Sequence, residues 1–195
     1  QELDDKEEFS YHLTKRMGEL GLFGPFVSEE YGGSNVGYVG YIISVEEIAR
    51  IDGSQAATLA AGNSLGISPI YYYGNEEQKQ KWLPDLCSGK ALSSFGLTEP
   101  NAGSDAGASK TNAVLEGDHW VINGSKIFIT NSTTDMSRVC VVQAVTGKRE
   151  DGRTEISCIL VPNGTTGFTT KTMHGKMVWR ASNTGELYFT DCKVP

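Results

Sequence analysis

The hydrophobic pattern of this chain changes period once, near residue 91, and that change limits what it can fold into. Before it, apolar residues recur at three-and-four spacing, as on one face of a helix. After it, they come in short β-branched and aromatic runs separated by turn residues. One such switch reads as a helical unit followed by a sheet unit, not as alternating strands and helices. The expected domains are residues 1–92, an all-α helical bundle, and residues 93–195, a mainly antiparallel β-barrel or sandwich.

Phe9, His12, Leu13, Arg16, Met17 and Leu20 share a helical face, and Gly21 stops that helix. Residues 25–35 form a loop rich in glycine and acid. Helical spacing returns over Val39–Ile51 through Ile42, Ile43, Val45 and Ile48, until Asp52-Gly53-Ser54 interrupts it. Ser54 is the expected N-cap of a helix of small residues over Gln55–Tyr73. Asn75, with Gln78 three residues on, predicts a capping box and a helix to about Ser88-Gly89. That makes four helices and no strand before residue 90. The β-rich runs that follow are Ala91–Leu97, Thr111–Leu115, Trp120–Ile122, Lys126–Thr130, Arg138–Val145, Ile156–Val161 and Glu186–Phe189. Gly117-Asp118, Asn123-Gly124, Gly147, Gly152 and Asn163-Gly164 fall between them at hairpin intervals.

A formal net charge of −7 counts against nucleic acid as a partner. Any anionic ligand must then be held by local donors, not by bulk potential. The four cysteines, Cys87, Cys140, Cys158 and Cys192, show no C-x-x-C spacing, and there are three histidines, so no zinc or haem signature is present. His12, His119 and His174 read as structural. Free thiols and a reducing setting are expected. No run approaches the roughly 18 apolar residues of a membrane span, and no signal peptide opens the chain. A cytoplasmic location is expected, or the mitochondrial matrix if a targeting peptide was removed ahead of Gln1. Both ends, at Gln1 and at Val194-Pro195, read as cut.

Two segments carry chemistry. Phe95-Gly-Leu-Thr-Glu-Pro-Asn-Ala-Gly-Ser-Asp-Ala-Gly107 leaves a strand and enters a loop of small residues. Gly103 lets backbone approach a ligand closely, Thr98 and Ser104 offer hydroxyls, and successive free N–H groups in such a loop can cradle an anion the size of a dinucleotide pyrophosphate. By composition alone it also reads as a surface turn with an aspartate cap. The second segment, Asn123-Gly-Ser-Lys-Ile-Phe-Ile-Thr-Asn131, reads as a turn feeding a strand that ends in an aromatic and a threonine. Phe128 there could stack on a planar ring, with a Thr130 hydrogen bond to a ring nitrogen, or could simply fill the core of a hairpin. No G-x-G-x-x-G or G-x-x-x-x-G-K-[ST] fingerprint is present.

Taken together and in order, these segments resemble the acyl-CoA dehydrogenase family. Gly96–Asp105 is similar to its signature and Lys126–Asn131 to its second flavin segment. Pro25–Gly33, Tyr73–Pro84 and Trp179–Pro195 resemble its early glycine pair, its helix before the middle domain and the end of that domain. The resemblance implies FAD as cofactor. It places Phe95, Leu97 and Thr98 along the isoalloxazine ring, Thr98 at its pyrimidine edge. Gly103 and Ser104 fall on the pyrophosphate, with Ser104 also on the acyl-CoA. Phe128 falls on the ring face away from substrate, and Ile129 and Thr130 beside N5. Phe95 and Phe128 stand where members often have Tyr and Trp, which keeps stacking and loses any polar contact from those rings.

The reaction so implied is a trans α,β-elimination: a carboxylate removes the α-proton and the β-hydrogen leaves as hydride to the flavin. The base in the family is a Glu of a C-terminal helical domain, and no residue here matches it. Glu99 lies within the signature but reads as structural. The chain therefore reads as the N-terminal and middle domains without the C-terminal one, inert by itself and poor at retaining FAD. An electron-transferring flavoprotein is the implied acceptor and a homo-oligomer the implied assembly. An acyl-CoA oxidase or flavin monooxygenase relative, or a non-catalytic binding module, are the competing readings.

Overall fold

The computed structural model describes residues 2–195. Six α-helices come first among them: α1 (Glu2–Lys6), α2 (Tyr11–Glu19), α3 (Gly37–Ala49), α4 (Gly53–Ala61), α5 (Ser68–Tyr73) and α6 (Glu76–Cys87). Ser10 caps α2 by accepting from Leu13 N. The expected capping box on α6 forms, with Gln78 N donating to Asn75 Oδ1 at 2.9 Å and Asn75 N to Gln78 Oε1 at 3.0 Å.

Six α-helices form where four are expected: α1 is additional, and two further helical expectations need correction. Ser54 is not the cap of α4. Asp52 is, because it holds the extended conformation a cap requires and its carboxylate accepts from Ser54 N and Gln55 N. Nor is Gln55–Tyr73 one helix. A π-helical stretch, Gly62–Ile67, separates α4 from α5. It lies directly on the first strand, where a Cβ at Gly66 would sit 2.1 Å from Ser93 Oγ, and against the chain after α2, where one at Gly62 would sit 2.8 Å from Phe23 Cε1. The widened turn keeps the chain helical while fitting this close approach, and such turns cluster at functional sites.

Seven strands follow: β1 (Leu92–Gly96), β2 (Asn112–Glu116), β3 (His119–Thr130), β4 (Ser137–Lys148), β5 (Thr154–Pro162), β6 (Phe168–Thr172) and β7 (Thr184–Val194). They form one curled sheet in the order β1-β4-β2-β3-β7-β6, with β5 also paired to β4. Pairing is antiparallel for β2–β3, β3–β7, β4–β5 and β6–β7, and parallel where β1 and β2 meet β4. The helical unit followed by a mainly antiparallel sheet is thus as expected.

Within the sheet, Asn123-Gly124 is not a turn between two strands. The pairing of β3 with β7 slips between Ile122 and Gly124, so one long strand carries a bulge there. Gly124 has φ +145°, and a Cβ on it would meet Thr111 Oγ1 at 2.5 Å. Gly147 likewise sits inside β4, and Phe168–Thr172, too short and polar to stand out, is a strand.

Two apolar clusters hold this together. One joins the helices to the sheet, packing Phe23, Leu59, Ile67, Leu83 and Leu86 against Leu92, Val139 and Val141. The other fills the curl of the sheet with Ile122, Ile129, Val142, Val161, Leu187 and Phe189. Each fully buried side chain of this kind contributes roughly 1.5–3 kcal/mol. Phe95 borders the first cluster and Ile129 belongs to the second, so the chemistry-bearing segments lie on the seam between them.

Candidate functional site

Strand β1 and the end of β3 open one cleft at that seam. Phe95, Leu97 and Thr98 enter it from β1 and its exit, and Phe128, Ile129 and Thr130 from β3, around a volume of about 130 Å³. Ser94 joins them from β1, and Ala61 and Leu65 from the helical side. Six of the eight residues singled out in the sequence therefore share one cavity. The other two, Gly103 and Ser104, do not line it; they lie on the exposed loop that leaves β1.

The end of β3 is held in an unusual shape. Its pairing with β7 slips a second time, between Lys126 and Ile129, and Phe128 adopts φ 63° with 61% of its surface exposed. A bulky residue in the left-handed region costs on the order of 1–3 kcal/mol and persists only where its surroundings over-determine it. Here Ile127 N donates to Thr98 O at 2.9 Å, Ser132 Oγ to Ile129 O at 2.7 Å, and Asn131 N to Asn183 O at 3.1 Å. Asn131, itself at φ 62° and fully buried, donates through Nδ2 to Thr58 O of α4 at 2.9 Å. Phe128 is therefore not core filling. The bulge turns its ring out into the cleft mouth.

The signature loop is stitched at its base by a buried ion pair. Lys126 Nζ reaches Glu99 Oε1 at 2.8 Å, Leu97 O at 3.1 Å and Ser109 Oγ at 3.1 Å. The two side chains are 0% and 6% exposed. Glu99 also accepts from Lys110 N at 2.7 Å, Thr111 N at 2.9 Å and the Ser109 hydroxyl. Burial pushes the Glu99 carboxyl up, but the hydrogen bonds from Lys126, Ser109, Lys110 and Thr111 outweigh it and hold it at about 2. Burial pulls Lys126 below the usual lysine range, against the attraction of Glu99. With its side chain 6% exposed, four donors committed to it and its carboxyl held at about 2, Glu99 is not poised to take up a proton and has a structural role.

Beyond that pair, residues 100–108 stand out from the sheet. Glu99 N and Ala102 O, and Ala102 N and Glu99 O, close a turn at 3.0 and 3.1 Å. Among the described residues, the N–H groups of Gly103, Ser104 and Asp105 make no hydrogen bond to another backbone group. Asp105 caps nothing, and a Cβ at Gly103 would meet no atom within 4 Å. Nothing inside the protein requires glycine there, and space is left beside free donors.

Sequence reading missed Ala61, Leu65 and Ser94. The two glycines of Gly62 and Gly66, four apart in a small-residue stretch, were the available signal for close helix–strand contact. A second, more polar cavity of about 160 Å³ lies among Glu7, Tyr11, Thr133, His174, Arg180 and Asn183. There Glu7 bonds Gly175 N at 2.8 Å and Arg180 Nη2 at 2.8 Å, pinning the α1–α2 connection to the loop before β7. Among the described residues, no cluster of His, Cys, Asp and Glu could hold a metal ion, and no helix is long and apolar enough to cross a membrane.

Comparison with known proteins accords with this geometry. A family model described as acyl-CoA dehydrogenase, N-terminal domain, matches residues 1–90, and one described as acyl-CoA dehydrogenase, middle domain, matches residues 94–192. A probable acyl-CoA dehydrogenase of Bacillus subtilis, YngJ, is 50% identical over 193 residues, which cover 99% of this chain and 50% of that protein. Butyryl-CoA dehydrogenase from Megasphaera elsdenii superposes with a TM-score of 0.90 at 40% identity, covering 100% of this chain and 51% of that one. A glutaryl-CoA dehydrogenase from Mycobacterium smegmatis in complex with FADH2 superposes with a TM-score of 0.91 at 35% identity, covering 98% and 47%. The chain spans about half the length of the relatives it matches.

Proposed function

The chain belongs to the acyl-CoA dehydrogenase family, and from that premise we propose that it forms part of the cofactor and substrate site of a flavin-dependent enzyme oxidising acyl-CoA to trans-2-enoyl-CoA. The observation that carries this reading is the convergence of Phe95, Leu97, Thr98, Phe128, Ile129 and Thr130 on one cleft beside a loop of free N–H donors. These residues fit FAD. Two aromatic rings and two threonine hydroxyls suit a planar heterocycle with polar edges. The open space at Gly103 beside the N–H groups of Ser104 and Asp105 suits a diphosphate. The relative from M. smegmatis holding FADH2 supports the same assignment.

When bound, the flavin supplies the hydride-accepting chemistry. This chain's residues bind and orient. Phe128 would pack against the ring and help to exclude water, while the Thr98 and Thr130 hydroxyls would offer hydrogen bonds to its polar edges. Gly103 and Ser104 would hold the diphosphate, and Ser104 would also meet the acyl-CoA. None of the nine residues lining the cleft is an acid or base, and Glu99 is spent on its own donors. We therefore assign the α-proton to a carboxylate outside these walls. The butyryl-CoA dehydrogenase likeness favours a short acyl chain, and an electron-transferring flavoprotein is the proposed acceptor.

The full-length protein should purify yellow, and the colour should bleach on anaerobic addition of butyryl-CoA. The 195 residues alone should hold little FAD and show no turnover. A full-length protein that takes up no FAD, or whose bound flavin is untouched by acyl-CoA thioesters from short to long, would overturn the reading.

A further inference from the structure

Resting on that reading, we infer that Glu99 and Lys126 are positioning residues that set the diphosphate end of the site relative to the ring end. The two ends lie on different pieces of chain. The ring residues sit on β1 and β3, whereas Gly103 and Ser104 sit on a loop that β1 throws out and β2 recovers. Lys126 lies on β3 two residues before Phe128, and its ammonium grips the start of that loop at Leu97 O. Glu99, its partner, grips the end of the loop at Lys110 N and Thr111 N. Ser109 bonds to both. One ion pair thus draws the two feet of the loop together and ties them to the strand that carries Phe128, Ile129 and Thr130.

Nothing else does this as directly. The other ties to β3 are Ile127 N to Thr98 O at 2.9 Å and Thr111 Oγ1 to Ser125 O at 3.3 Å, one at each foot, while Val145 N to Thr111 O at 2.8 Å and Gln143 Nε2 to Ala106 O at 3.1 Å hold the loop to β4 and not to the strand that carries Phe128. The cleft-side backbone is shaped to admit the lysine: a Cβ on Gly96 would come 3.3 Å from Lys126 Cγ. A lysine used only for stability would be a poor choice here, since apolar replacement of a buried ion pair is often neutral or stabilising. The donors and acceptors on the loop feet are what an apolar pair could not supply.

Binding selectivity tests this. FAD and riboflavin share the ring, but only FAD reaches the loop. In the full-length protein, apo-enzyme is titrated with each by flavin fluorescence, for wild type, Glu99→Gln, Lys126→Met and the double variant. Apo thermal midpoints and hydrogen exchange across residues 100–108 are measured alongside. Lys126→Met and the double variant should bind FAD at least tenfold more weakly while riboflavin affinity stays within about threefold. Exchange in the loop should rise. The double variant should regain thermal stability over Lys126→Met without regaining FAD affinity, which a purely structural pair would not show. Equal losses for both ligands, losses that track the thermal midpoint, or unchanged FAD affinity would each overturn the inference. If wild type bound neither ligand, the proposed function itself would fail. Glu99→Gln, nearly isosteric, keeps the test open should Lys126→Met not fold; it should give a smaller loss of the same FAD-only kind.

Discussion

Two glycine-to-alanine changes should separate fold from function on either side of the cleft. At Gly66 a methyl would stand 2.1 Å from Ser93 Oγ and 2.8 Å from Ser93 O. The hydroxyl can rotate, but the carbonyl belongs to β1 and cannot move without moving the strand. The π-helical stretch must therefore lift off the sheet, at the 1–3 kcal/mol typical of overpacking, about 1–3 kcal/mol here. For a chain of this size about 2–4 °C is lost per kcal/mol, so the thermal midpoint should fall by roughly 2–12 °C. At Gly103 the methyl meets nothing within 4 Å, and φ lies outside the left-handed region. Gly103→Ala should leave stability unchanged or raise it by about 0.4–1 kcal/mol, through the unfolded chain. Yet it should weaken FAD uptake, because the methyl takes space proposed for the diphosphate. Scanning calorimetry of the apo proteins and a flavin titration read both effects. A Gly66→Ala midpoint equal to wild type would refute the packing argument. A Gly103→Ala protein that binds FAD as wild type does would refute the assignment of that space.

Other outcomes follow from single groups. Thr130→Val in the full-length protein should shift the visible flavin band and slow its reduction, whereas Ser104→Ala should weaken FAD or acyl-CoA retention only modestly, since backbone donors remain; stopped-flow absorbance with both variants checks this, and wild-type traces would count against the roles given to these residues. The folded carboxyl of Glu99 at about 2 lies below its ordinary 4.5, so its contribution is complete above the ordinary value and is lost as pH falls from there toward about 2. Glu99→Gln should flatten the loss of thermal midpoint over that acid range, and parallel slopes would contradict it. Asn131→Ala should cost on the order of 1–3 kcal/mol in chemical denaturation, as Thr58 O keeps the Gly62 N–H but loses the buried Asn131 amide, and alanine takes a left-handed backbone.

The helix-to-sheet switch was legible because burial imposes a period on the sequence. The α6 capping box was legible because its two side chains must stand three apart. What escaped were features set by contact between distant segments. Asn123-Gly124 has the composition of a hairpin turn, and only its pairing with β7 and its close approach to Thr111 show that a bulge is needed there. Ser54 and Asp52 are both good caps in isolation; the choice between them rests on backbone conformation, which pattern does not carry. The cleft residues on β1 and β3 were legible through resemblance, whereas Ala61 and Leu65 depend on a π-helical turn that no local propensity announces.

Lys126 shows the same limit in its sharpest form. It stands opposite Leu187 across β3 and β7, both facing inward, and a lysine in that place would ordinarily be read as an outward residue of a half-buried strand. Its burial makes sense only with Glu99, which is 27 positions away and itself sits in a loop. Neither residue signals the other. The pair is worth its desolvation because it satisfies loop-foot groups that have no strand partner: a carbonyl at Leu97, N–H groups at Lys110 and Thr111, and the Ser109 hydroxyl. A loop released from a sheet in order to face a ligand forfeits ladder hydrogen bonds at both its ends, and those groups must be met by something that can donate and accept at one point. A buried lysine–glutamate pair does both. Its presence under Gly103 and Ser104 is thus a physical consequence of placing free backbone donors beside the cleft.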